Sequence, residues 1–123
     1  MFVSVVIPTY NRRPILEKCL SALEDQQLAG ALQDYEVVVV DDGSTDGTPS
    51  WLSEQSHRFP HVRLIEQEHG GPAEGRNRGV DHALGDVIVF IDSDLVVTET
   101  FLATHARASV SYTHLTLPTR IFV

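Results

Sequence analysis

Asp92 and Asp94 flank a single serine where an apolar run, DVIVFI, turns polar. Two carboxylates around one residue on such a turn suit a hard divalent ion, because Mg²⁺ or Mn²⁺ takes oxygen ligands and keeps water or substrate phosphate in its shell. An ion held there would neutralise a diphosphate leaving group. Aspartates also cap turns by accepting backbone amides, so the pair alone leaves both readings open. Asp41 and Asp42 end a second apolar run and begin DDGSTDG. A carboxylate there can accept a base N–H or ribose hydroxyls. One of the two, Asp42, is expected to face a ligand, while Ser44 and Asp46 organise the loop. Tyr10, after a third run, can stack on a base or form a wall.

The stretch HGGPAEGRN, residues 69–77, adds glycines, a helix start at Pro72 and the cation Arg76. Gly71 and its neighbours would let backbone approach a ligand, and the first-turn N–H groups would face an anion. Simple loop geometry explains the glycines equally. The stretch lacks the GK[ST] ending of a Walker loop, and no GxGxxG follows the first strand, so neither an ATPase nor a dinucleotide oxidoreductase is supported.

These residues must be positioned by alternating strands and helices. Residues 2–8 (FVSVVIP), 35–40 (YEVVVV), 62–66 (VRLIE) and 86–91 (DVIVFI) read as buried parallel strands. Between them, Ile15, Leu16, Cys19, Leu20 and Leu23 share a helical face behind Pro14, with Asn11 a possible cap. Thr48 and Pro49 open a helix in which Trp51 packs. A third helix over 72–83 turns Ala73, Val80, Ala83 and Leu84 inward. The order predicts an α/β fold, a three-layer α-β-α arrangement with a mainly parallel sheet. Such sheets bind ligands beyond the carboxyl ends of their strands, where the polar segments converge.

Composition narrows the function classes. The chain has 123 residues, 17 Asp and Glu against 9 Lys and Arg, and net charge −8. That balance argues against a nucleic-acid partner. No apolar run approaches the roughly 20 residues of a membrane span, and the start lacks a signal-peptide pattern. The single cysteine, Cys19, cannot form an internal disulfide and is expected to pack, which fits a cytoplasmic protein. His57, His61, His69 and His82 have no metal-ligand spacing and read as surface or packing residues.

Four segments in series, VSVVIPTYNR (3–12), VVVVDDGSTDGT (37–48), GGPAEGRNRGV (70–80) and GDVIVFIDSD (85–94), resemble glycosyltransferase family 2. The resemblance covers about residues 2–105. It implies the Rossmann-like, nucleotide-binding half of a GT-A fold, and an enzyme that transfers a sugar from a nucleotide-diphosphate sugar to an acceptor hydroxyl with inversion. UDP is the default nucleotide. By this resemblance Pro8, Thr9 and Tyr10 line the base pocket, and Asp42, beside Asp41, holds base or ribose. Asp92 and Asp94 match the DxD motif, with Asp94 as metal ligand and Asp92 as partner of ribose or of a metal-bound water. Arg76 and Asn77 match the ARN segment, here GRN, so Arg76 faces the diphosphate or braces the DxD loop. The implied cofactor is Mn²⁺ or Mg²⁺; saccharide, lipid-carrier and protein acceptors all stay open.

The family's catalytic base lies well after the DxD motif, so a truncated domain without turnover is expected, and a binding module without catalysis is the alternative. Residues 109–119, SVSYTHLTLPT, are similar to the translation of a transposase-type sequencing adapter. All 17 acids lie at or before Glu99, in keeping with a foreign tail. The expected division is a family 2 domain over 1–108 and a non-native tail over 109–123. A real edge strand, alternating from Val110 to Pro118, is the rival reading. Truncation also predicts that Val87, Val89, Phe90 and Ile91 lack cover.

Overall fold

The computed structural model describes residues 1–115 and 121–123. The first three strands, β1 (Phe2–Thr9), β2 (Asp34–Asp41) and β3 (Val62–Glu66), are followed by β4 (Val87–Phe90) and a two-residue β5 (Ile121–Phe122). The helices are α1 (Arg13–Glu24), α2 (Thr48–Glu54), α3 (Pro72–His82) and α4 (Phe101–Leu115). All pairings are parallel, in the order β3-β2-β1-β4-β5. The chain builds outward from β1 to β3, then returns to β1's other side with β4. Ligands bind parallel sheets at such a reversal, beyond the strands' carboxyl ends.

Side-chain alternation sorts the layers. Val3, Val5 and Ile7 of β1, with Val37 and Val39 of β2 and Val87 and Val89 of β4, pack on Leu16, Cys19, Leu20 and Leu23 of α1, Leu52 of α2 and Leu102 and Ala106 of α4. Val6, Val38, Val40 and Ile88 point the other way, toward Val80 and Ala83 at the end of α3. The sheet is thus covered on both faces, as the alternating pattern predicts.

Several expectations are corrected. Val87, Val89 and Ile91 are buried, in the same core cluster as Leu102 and Ala106 of α4, and only Phe90 is half-buried. Ile15 is 44% exposed and lies off the α1 stripe, which begins at Leu16. In α3 the inward face is Gly75 and Gly79, with Ala73 exposed and Leu84 72% exposed beyond the helix. A Cβ on Gly79 would overlap Val6 Cγ1 and stand 3.3 Å from Val40 Cγ2, so small residues let α3 lie close to β1 and β2. The edge-strand reading fails for residues 110–115, which continue α4; its remainder, 116–118, lies outside the described residues.

Backbone amides anchor the segment after β4. Gln26 Nε2 donates to Thr98 O at 2.7 Å, Gln27 N–H to Glu99 O at 2.8 Å, and Leu102 N–H to Gln26 Oε1 at 3.0 Å. These bonds tie the chain leaving Asp94 to the end of α1. Behind α3, Glu36 accepts from Ser4 Oγ (2.6 Å), Leu84 N–H (2.7 Å) and Arg63 Nε (2.9 Å), which fixes the entry to β4.

Candidate functional site

A cleft of about 370 Å³ opens over the β1/β4 reversal. Pro8, Thr9, Tyr10 and Arg12 line it from the end of β1, Asp42 from the end of β2, Pro72 and Arg76 from α3, and Asp92, Ser93 and Asp94 from the loop after β4. Seven of the sequence-derived site residues, Pro8, Thr9, Tyr10, Asp42, Arg76, Asp92 and Asp94, therefore meet in one place. Asp41 and Gly71 do not line it. Arg12, Pro72 and Ser93 do, and no chemical signal in the sequence marked them.

The end of β1 is shaped by Asn11, whose φ of 51° is left-handed. Asparagine tolerates that region better than most side chains. Asn11 does not cap α1: Arg12 holds the cap position, with no side-chain capping bond. Asn11 instead accepts Thr45 N–H at 2.7 Å and donates its own N–H to Ser44 Oγ at 2.9 Å, locking the β1 end to the loop after β2. Asp46 Oδ1 accepts Thr48 N–H at 3.1 Å and so starts α2. Burial pushes the Asp46 carboxyl up, but hydrogen bonds from Thr48 and Arg13 outweigh it and hold it below the usual carboxylate range.

Asp41 and Asp42 part ways, as alternation along a strand requires. Asp41 is buried, with Oδ2 accepting Ser44 N–H at 2.9 Å. Its Oδ1 and the hydroxyl of Thr9, its register partner on β1, have no hydrogen-bond partner among the described residues. Asp42 reaches the cleft wall but is itself 4% exposed. It accepts from Gln67 Nε2 (2.8 Å), Gly70 N–H (2.7 Å) and Gly71 N–H (3.0 Å), and pairs with His69 Nδ1 (2.9 Å). Burial again pushes its carboxyl up, and these bonds pull it below the ordinary range.

This arrangement revises the role of the glycine stretch. The amides of Gly70 and Gly71 serve Asp42 and are not free for an anion. Gly71, with φ of 93°, adopts a backbone that favours glycine while aiming its N–H back at β2. His69 is also more than a surface residue, since it bonds Asp42 and lies against Tyr10, with ring centroids 4.5 Å apart. Only a tertiary contact across four elements could have revealed it.

Asp92 and Asp94 are both exposed. Neither carboxylate accepts a hydrogen bond or forms an ion pair with a described residue; the turn there is closed by the Asp92 carbonyl, which accepts Leu95 N–H at 3.1 Å. The turn-capping reading therefore loses its basis. Two free carboxylates on one cleft wall fit an Mg²⁺ or Mn²⁺ ion that draws its remaining ligands from water and a substrate phosphate. Among the described residues no third acid, histidine or cysteine joins them. Arg76 is exposed on the same cleft and pairs with neither aspartate, so it does not brace their loop by an ion pair. The Asp94 charge reaches the core: burial first, and then Asp94, push the Cys19 thiol up to about 12.

Comparison with known proteins decides what this cleft belongs to. The model of the family described as Glycosyl transferase family 2 matches residues 4–120. The chain belongs to glycosyltransferase family 2. Its sheet and flanking helices are those of the Rossmann-like, nucleotide-binding half of a GT-A domain. It is 37% identical over 108 residues to the uncharacterized glycosyltransferase YfnE of Bacillus subtilis (strain 168), covering 88% of this chain and 27% of that protein. The crystal structure of S. aureus TarS 1-349 in complex with UDP-GlcNAc matches with a TM-score of 0.77 and 30% identity, over 92% of this chain and 32% of that one. The mannosyltransferase PcManGT from Pyrobaculum calidifontis, in complex with GDP-Man and Mn²⁺, gives a TM-score of 0.73 and 36% identity, over 82% of this chain and 30% of that one. This family 2 chain thus spans about a third or less of the length of these relatives. Among its described residues no helix is long and apolar enough to cross a membrane.

Proposed function

We propose that this glycosyltransferase family 2 chain carries the donor site of an enzyme that moves a sugar from a nucleotide-diphosphate sugar to an acceptor hydroxyl with inversion. The observation that carries the reading is a pair of carboxylates, Asp92 and Asp94, in the same cleft as Arg76, none of the three having a hydrogen-bond or ion-pair partner among the described residues. Their opposite charges suit a metal-bound diphosphate. The UDP-GlcNAc in TarS and the GDP-Man and Mn²⁺ in PcManGT support the ligand class. UDP is the default nucleotide.

In this reading Pro8 and Thr9 form the wall of the base pocket, Tyr10 offers a stacking face, and Asp42 supplies the acceptor for base or ribose. Asp41 and Gly71 act through the loops they hold. Arg76 places a cation at the diphosphate. A divalent ion, Mn²⁺ or Mg²⁺, held by Asp94 with Asp92 beside it, would neutralise the leaving diphosphate as a Lewis acid. In-line attack on the anomeric carbon requires a base for the acceptor hydroxyl. Among the described residues the carboxylates of the cleft are Asp92, Asp94 and the internally bonded Asp42, and none is free for that task. We assign donor binding to this cleft and leave the base unassigned. The acceptor, whether saccharide, lipid carrier or protein, is left unassigned.

The buried free thiol of Cys19 suits a cytoplasmic setting. The lack of acids after Glu99 favours the division into a 1–108 domain and a foreign 109–123 tail, which sequencing of the source locus past codon 108 tests. Calorimetric titration of the 123-residue chain with UDP, with and without Mn²⁺, tests the donor site. Binding should require the metal and vanish in Asp94→Ala. Metal-independent binding of equal strength in the variant would refute the assignment.

A further inference from the structure

Three hydrogen bonds and one ion-pair contact surround the Asp42 carboxylate. An ionised carboxylate offers about four lone-pair sites. Gln67 Nε2 and Gly70 N–H donate to Oδ1 and Gly71 N–H to Oδ2, while His69 Nδ1 stands 2.9 Å from Oδ2 as its ion-pair partner. Its hydrogen bond goes to the Asp42 carbonyl oxygen, at 3.2 Å. Both oxygens only accept, so the imidazole proton sits on Nδ1.

The four donors differ in how they could leave. Gln67 is buried, and the two glycine amides belong to the backbone that opens α3. His69 hangs from a side chain 63% exposed, free to turn out by bond rotation alone. Its ring lies against that of Tyr10 at 4.5 Å, tilted by 39°. A planar ring against Tyr10, with a ring nitrogen 2.9 Å from Asp42 Oδ2, takes up the space that a nucleobase would need beside the same two residues.

We propose that His69 fills the nucleobase seat of the free protein, and that donor binding swings its imidazole out and hands Asp42 Oδ2 to a base bearing a ring N–H. The inference rests on the assignment of this cleft to a nucleotide-sugar donor. Uracil and guanine carry such an N–H, and cytosine does not. Because the seat must first empty, the apparent dissociation constant is the intrinsic one divided by the fraction of molecules with His69 turned out. His69 thereby weakens every nucleotide by the same factor, while the choice among bases is left to Asp42 Oδ2.

The test is calorimetry of the full chain and its His69→Ala variant with UDP and with CDP, in Mn²⁺. His69→Ala should bind UDP about tenfold tighter, about 1.4 kcal/mol, with CDP weaker than UDP in both proteins. Unchanged or weaker UDP binding by the variant, with wild-type binding intact, overturns the seat and leaves the donor site standing. CDP binding as tight as UDP overturns the selection of a ring N–H. Absence of UDP binding to both, with unchanged circular dichroism, overturns the inference and the donor site together. A readout on the wild type avoids any effect of substitution: the ¹⁵N resonance of the His69 Nδ1–H should shift on saturation with UDP, and its persistence unshifted contradicts the proposal.

Discussion

Gly79→Ala should destabilise the protein although alanine is the better helix former. Alanine in a helix interior gains about 1 kcal/mol over glycine. The added methyl, however, overlaps Val6 Cγ1 and meets Val40 Cγ2 at 3.3 Å, and both valines are fully buried in the sheet. Overpacking of this kind costs about 1–3 kcal/mol. An overlap with β1 cannot be relieved by one side-chain rotation, so the upper end applies and the net loss is about 2 kcal/mol. Gly75 provides the control, since its Cβ would stand 3.1 Å from Pro8 Cβ and needs only a few tenths of an ångström. There the two terms nearly cancel. Urea unfolding followed by fluorescence of Trp51, which packs 6.0 Å from Phe59, reads the difference. With a slope of about 2 kcal/mol/M, the Gly79→Ala midpoint should fall by about 1 M and that of Gly75→Ala should hardly move. A Gly79→Ala midpoint at or above that of Gly75→Ala would refute the close approach of α3. The lift of α3 should also weaken UDP binding, because Arg76 rides on the same helix.

Three further outcomes follow from hydrogen-bonded carboxylates and a buried thiol. Asp42 and Asp46 have folded pKa values held below the ordinary range, so the stability they add is present above about pH 4 and is lost as pH falls through the folded values. Urea midpoints measured from pH 6 downward should fall more gently in Asp42→Asn than in the wild type, and an identical slope would speak against the Asp42 network. Glu36→Ala leaves Ser4 Oγ and Leu84 N–H without their acceptor and should lower stability by about 2–4 kcal/mol, read in the same urea assay. Cys19, buried and with its thiol pushed up to about 12, should resist a thiol reagent at pH 8 until denaturant is added. Rapid labelling of the folded chain would contradict its place under the sheet.

Legibility from sequence tracked how local each cause is. The strands were readable because β-branched runs end in turn residues, and residues 62–66 match β3 at both ends. The face of α1 was readable from 3.6-residue spacing except at Ile15, where the stripe is too narrow to include it. The inner face of α3 was half readable: Val80 and Ala83 do face the sheet, but Gly75 and Gly79 escaped notice because glycine carries no hydropathy signal, and close packing selects them for their missing side chains. The core that buries β4 includes Leu102 and Ala106 of α4, whose mixed polarity gave no amphipathic pattern. The cleft residues were readable wherever they follow a strand directly, as Tyr10, Asp42, Asp92 and Asp94 do. The bonds from Gln67, His69, Gly70 and Gly71 to Asp42 were not, since they join segments more than twenty positions apart. No periodicity encodes such a contact.

The central claim, that metal and diphosphate meet in the β1/β4 cleft, is tested most directly by paramagnetic broadening. Trace Mn²⁺ added to the ¹⁵N-labelled chain with saturating UDP should broaden the amides of Ser93, Asp94 and Arg76 first, and spare those of Asp34 and Asp86 at the opposite strand ends. Broadening centred away from the Asp92–Asp94 loop, or equal with and without UDP in Asp94→Ala, would contradict the account.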